Sequence, residues 1–146
     1  MKSKFHSLFC AFSFITVAGT GIVSADVITW NNAGGGEWDV PTNWSPQQVP
    51  GANDRVVVDG TASFTIQMAG SQSVSELVMD NPNATLRMVA NSTVGHGMLT
   101  VANPFENHGT IELTSVDGEA WGAFLTVTTG TLLNAADGVL RVLQGT

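Results

Sequence analysis

Four tryptophans carry most of the chemistry that the residue types of this chain offer. Trp30, Trp38 and Trp44 fall within fifteen residues, among Gly34-Gly-Gly36, Pro41 and Asn43, and Trp121 lies apart in Gly118-Glu-Ala-Trp-Gly122. Indole faces stack on sugar rings at little cost in conformational entropy, so Trp38, Trp44 and Trp121 are the candidate carbohydrate contacts. The three clustered indoles equally suit an apolar plug over the end of a β-fold, and that is the reading adopted for them. Hard oxygen ligands near turns come from Asp39, Asn43, Asn53, Asp54 and Asp59, and calcium is the one cofactor for which they would serve. Their spacing matches neither an EF-hand loop nor the Gly-Gly-x-Gly-x-Asp repeat of calcium-binding β-rolls. Asn53 and Asp54 read first as caps of the turn that enters a strand at Arg55. His96 and His108 sit in Gly95-His-Gly97 and Asn107-His-Gly109, turn positions that could meet on neighbouring corners and hold a transition metal. Solvent-exposed turn histidines are the commoner case.

Catalysis has less to stand on. A polysaccharide lyase or glycosidase needs a positioned base or a carboxylate pair in a groove. The only basic residues beyond residue 25 are Arg55, Arg87 and Arg141, none beside a histidine. No catalytic residue is nominated, and the chain is expected to have no catalytic activity of its own.

The elements that must position these residues are all short and extended. Apolar residues alternate with polar ones, or form brief β-branched runs between Gly, Asn, Asp and Pro, which predicts an all-β protein. Predicted strands are 27–30, 55–58, 63–68, 73–79, 85–89, 98–101, 110–113, 124–128, 132–133 and 139–143. Leu99-Thr-Val101 recurs as Leu125-Thr-Val127, and Asn107-His-Gly109-Thr-Ile-Glu-Leu113 recurs loosely as Asn134-Ala-Ala-Asp-Gly138-Val-Leu-Arg-Val142. A short strand, an Asn turn, a glycine and another strand is the repeat of a parallel β-helix, where Asn and Gly take the sharp corners and asparagine amides ladder. A β-sandwich of hairpins sharing common dipeptides is the alternative.

Lys2 and Lys4 precede an uncharged apolar run, and Val23-Ser-Ala25 offers a small-residue cleavage site, so residues 1–25 read as a signal peptide removed before Asp26. The run is short for a membrane span, and Cys10 lacks the small preceding residue of a lipoprotein site. Beyond residue 25 there is no cysteine, hence no disulfide. Three arginines there face twelve carboxylates, a balance of −9. That argues against nucleic acid or an anionic membrane as partner, because no basic patch can displace counterions. The division expected is 1–25 signal peptide, 26–54 a Trp/Gly/Pro-rich cap and 55–146 solenoid rungs ending part-way through a unit. Asn43-Trp-Ser45, Asn83-Ala-Thr85 and Asn91-Ser-Thr93 fit the N-glycosylation pattern, as chance allows in so Asn- and Thr-rich a chain.

Trp30, Gly34-Gly-Gly36, Trp38, Asn43-Trp-Ser45, Val49-Pro-Gly51 and Asn53-Asp54 followed by Val56-Val-Val58 resemble the opening motif of large exported bacterial surface proteins. Those have autotransporter-like, β-helical passengers of planctomycete or verrucomicrobial type. Ser73-Val-Ser-Glu-Leu77, Ala84-Thr-Leu86 and Asn107-His-Gly-Thr-Ile111 resemble the rungs that follow. The resemblance implies a β-solenoid behind an aromatic cap and a structural or adhesive role at the cell surface or outside the cell. Partners would be extracellular polysaccharide or other surface components, with no membrane insertion of the mature chain. The alternatives are a carbohydrate-binding module and the leading part of a polysaccharide-degrading β-helix enzyme.

Overall fold

The computed structural model describes residues 25–117 and 120–145, so the predicted signal peptide lies outside the described residues but for Ala25. From Asp26 onward the chain winds as a coil of short strands. The first turn holds β1 (Val27–Trp30) and β2 (Gly36–Glu37), then a 3₁₀ turn at Pro41–Asn43 and β3 (Trp44–Ser45). Next come β4 (Arg55–Asp59), β5 (Phe64–Ala69) and β6 (Ser71–Val74), followed by β7 (Glu76–Asp80), β8 (Ala84–Ala90) and β9 (Gly97–Val101). The third full turn is β10 (Phe105–Asn107), β11 (Thr110–Ser115) and β12 (Ala123–Val127). β13 (Leu132–Asn134) and β14 (Val139–Val142) begin another.

Each strand pairs with its counterpart one turn away, giving three sheets in the orders β13-β10-β7-β4-β1-β3, β14-β11-β8-β5-β2 and β12-β9-β6. Every pairing between these strands is parallel except β1 with β3. The molecule is thus a three-sided β-solenoid of about four turns. Parallel neighbours exclude the sandwich, whose hairpins pair antiparallel.

Period-two alternation puts one apolar column of each sheet inside the coil. Ile28, Val56 and Leu77 stack in the first sheet and Ile66, Leu86 and Ile111 in the second, and all six are buried. In the third sheet Leu99 lies on Leu125 and Val101 on Val127, which is the repeat read in the sequence. The second repeat holds as well: Asn107 pairs with Asn134, and the Asn107 amide donates to Asn134 Oδ1 at 2.8 Å. The run predicted as one strand over 73–79 is broken at Ser75, a corner whose N–H donates to the Asp54 carbonyl at 2.9 Å. β2, β3 and β10 are two or three residues long, too short for alternation to reveal.

The segment 26–54 is less separate from the rungs than its composition implies, because β1 and β2 are themselves the first strands of two sheets. β3 then folds back antiparallel on β1 and pairs Trp44 with Trp30. This covers the strand edge on which a further turn would otherwise stack. At the opposite end β14 is exposed along its whole length, with Val142 81% exposed.

Candidate functional site

The aromatic cluster at the start of the coil is a sealed cap. Trp30, Trp38 and Trp44 are 6%, 1% and 0% exposed. The Trp44 ring stands edge-on to both others, with centroids 4.8 Å away in each case and interplanar angles of 88° to Trp30 and 72° to Trp38. Trp44 Nε1 donates to the Trp38 carbonyl and Trp30 Nε1 to that of Asn32, both at 2.7 Å. Asn32 and Asn43 bind each other at 2.9 Å, and their amides hold the Gly35 and Glu37 carbonyls. Gly35, at φ +79°, lets the chain pass so close to the next turn that an added Cβ would lie 2.6 Å from the Thr65 carbonyl oxygen. The proposed sugar contacts at Trp38 and Trp44 are therefore corrected: neither indole has a free face, because both are buried and packed edge-on inside the cap. Asn43 is engaged in the same way, which removes it from the glycosylation candidates.

The calcium candidates do not converge. Asp39, Asn53 and Asp59 are exposed. Asp54 is buried and accepts from the Asp26 N–H at 3.1 Å and the Gly51 N–H at 2.8 Å, capping the turn into β4. Among the described residues no group of three or more His, Cys, Asp or Glu side chains is placed to hold a metal ion.

The two histidines occupy different corners and do not meet. His108 joins β10 to β11, with Nδ1 2.8 Å from Asp137 Oδ1 and Nε2 3.6 Å from Glu106 Oε1. It borders a shallow groove of about 370 Å³ whose rim carries Glu76, Asp80 and Glu106. The hydrogen bond to Asp137 raises the imidazole pKa above its usual 6.5, the nearby Asp137, Glu106 and Asp80 charges add to this, and partial desolvation opposes it. A raised value in the folded state means the contact contributes fully below the unfolded pKa of about 6.5 and is lost as pH rises through the folded one. In a proton NMR titration the His108 midpoint is expected above 6.5, and Asp137→Asn should return it toward 6.5. An unchanged midpoint in that variant would refute the pairing.

On the outer face of the second sheet the registers align Glu37, Gln67, Arg87, Glu112 and Arg141 in one column across five strands. Gln67 Nε2 donates to Glu37 at 3.1 Å, Arg87 Nε to Glu112 Oε2 at 2.5 Å, and Arg141 Nη2 to Glu112 Oε1. Glu112, 1% exposed, is clamped between two guanidinium groups. With Arg55 bound to Glu76 at 3.1 Å, all three arginines of the described chain are held by carboxylates. Sequence reasoning missed this column because each member is a whole turn of the coil away from the next, and only the register of each turn brings them together.

One corner keeps aromatic side chains in solvent. Between β8 and β9 the segment 91–95 closes on itself: the Asn91 N–H donates to the Gly95 carbonyl and the Gly95 N–H to that of Asn91, at 3.1 and 2.8 Å. Asn91 Oδ1 accepts from the Thr93 and Val94 N–H groups, each at 2.9 Å. The segment one turn further on docks against it, with the Ser92 N–H donating to Asp117 and the Gly122 N–H to His96 Nδ1 at 3.0 Å. Trp121 and Phe124, 40% and 47% exposed, flank the His96 ring. Of the candidate carbohydrate contacts, Trp121 alone remains open.

The class that fold and surface define is a capped, three-sided parallel β-solenoid. No protein-family model, curated protein or solved structure matches the chain. Among the described residues no helix is long and apolar enough to cross a membrane.

Proposed function

We propose that this chain is an exported structural or adhesive protein of the cell surface or extracellular space, acting through extended strand faces and many weak contacts rather than through a reaction. The observation that carries this reading is the straight stacking of outward side chains. The column from Glu37 to Arg141 crosses five strands with its charges satisfied internally. Such a face is stiff and regular, and it repeats a geometry along the coil axis instead of focusing several groups on one reacting atom.

Two further features support export. The opening resembles that of exported bacterial surface proteins, and β1 follows directly on the expected cleavage site before Asp26. The Asp26 nitrogen lies 3.1 Å from Asp54 Oδ1. Cleavage before Asp26 would place an α-ammonium there and turn an amide–carboxylate hydrogen bond into an ion pair.

Expression of the full chain in a bacterial host, with mass measurement of the recovered protein and protease treatment of intact cells, tests the reading. A protein beginning at Asp26 and accessible to the protease is expected. Retention inside the cell with Met1 in place would overturn it.

A further inference from the structure

Resting on that reading, we propose that the corner carrying Trp121, Phe124 and His96 is a binding subsite for an uncharged glycan, the partner of the adhesive surface. The corner encloses an open groove of about 530 Å³, whose lining includes Ser71, Ser92, Thr93, His96, Trp121 and Phe124. Glycan recognition calls for apolar ring faces beside hydroxyl-directed donors and acceptors, and this groove presents both.

The aromatic part is built in advance. The Trp121 ring lies over Gly95, where an added Cβ would stand 3.5 Å from the indole, and the backbone at φ +76° keeps that place vacant. His96 sits between the two larger rings, with centroids 5.1 Å from Trp121 and 5.3 Å from Phe124 at steep angles of 76° and 68°. The two loop segments are pinned together through Ser92, Asp117, His96 and Gly122. Phe124 also heads an outward column, Phe124 over Met98 over Ser71, so the groove runs across three strands of the third sheet.

The polar part follows from the hydrogen-bond pattern. The Gly122 N–H donates to His96 Nδ1 at 3.0 Å, closer than the 3.3 Å to the Gly122 carbonyl, so the neutral ring carries its hydrogen on Nε2. That N–H and the hydroxyls of Ser71, Ser92 and Thr93 find no hydrogen-bond partner among the described residues. All are free for a sugar.

Charge selects the class. The arginines are paired with Glu76 and Glu112 away from this corner, and among the described residues the corner carries the Asp117 carboxylate. With a balance of −9 beyond residue 25, an acidic polysaccharide is repelled and a neutral one is not.

The test is affinity electrophoresis of the exported chain through gels containing hydroxyethylcellulose, galactomannan or dextran, with alginate as the acidic control. Retardation by at least one neutral polymer and not by alginate is expected. Trp121→Ala should weaken it roughly tenfold, while Trp121→Phe, which keeps a ring face, recovers part of the loss. Circular dichroism of each variant separates lost binding from lost fold, and in the parent chain the same polymer should shield Trp121 from iodide. No retardation by any neutral polymer, preference for alginate, or retardation that survives Trp121→Ala would overturn the site. If the chain is still displayed on intact cells, such a result leaves the surface role standing. Retention inside the cell would instead remove the reading on which the site rests.

Discussion

Replacing Arg87 and Arg141 together by methionine is expected to destabilise the solenoid by about 3–5 kcal/mol, well beyond the sum of the single replacements. The reason lies in Glu112. Its carboxylate has a side-chain exposure of 2% and depends on two cations that are themselves 38% and 51% exposed. Removing one arginine leaves the other to neutralise the carboxylate, and methionine still covers the strand with an apolar stem, so each single change costs only about 1 kcal/mol. Removing both leaves a buried charge with no counterion. Urea unfolding of the parent, the two single variants and the double variant forms a complete cycle. Additivity within about 0.5 kcal/mol would mean that the column is decoration on the sheet, not part of what holds the turns in register.

Trp44→Ala carries the second large effect, a loss of about 4 kcal/mol from removing a fully buried aromatic side chain. Trp44 touches both other indoles of the cap edge-on, anchors the Trp38 carbonyl through Nε1 and sits in the one antiparallel strand that covers the edge of β1. A coil in which each turn contacts only its neighbours loses stability from the damaged end. Hydrogen exchange should therefore quicken first in β1 and β4, and least in β8 and β11. A variant with near-parent stability, or with exchange raised evenly along the coil, would contradict the capping role.

The parts of this structure that the sequence revealed are those governed by local alternation and by near-copies of one unit. Leu99-Thr-Val101 and Leu125-Thr-Val127 lie in register because the same inward positions recur one turn later. The Asn107 and Asn134 corners were legible because a tight turn restricts residue choice. The spacing of successive turns is irregular, however: the step from Ile66 to its partner Leu86 is much shorter than the step from Ile111 to its partner Leu140. Insertions at the corners shift the repeat, so the Glu37 to Arg141 column left no periodic trace.

The candidate site was half legible for a related reason. Composition places four indoles in the chain without saying which face water. Trp38 and Trp44 are covered by a fold-back whose strand is two residues long, whereas Trp121 stays open because its supporting loop meets a glycine one turn earlier. That contact joins residues far apart in the chain, and only the register supplies it. Likewise His96 and His108 share a turn-like context in sequence, yet the three-sided coil sends them to different corners, one to an aromatic neighbour and the other to Asp137.

Iodide quenching of tryptophan fluorescence in the purified chain reads out whether three indoles seal the coil while the fourth faces solvent. The expected result is a largely blue-shifted emission with a minor quenchable component, and complete loss of that component in Trp121→Phe. Quenching that persists in Trp121→Phe would place cap indoles in water and contradict the account.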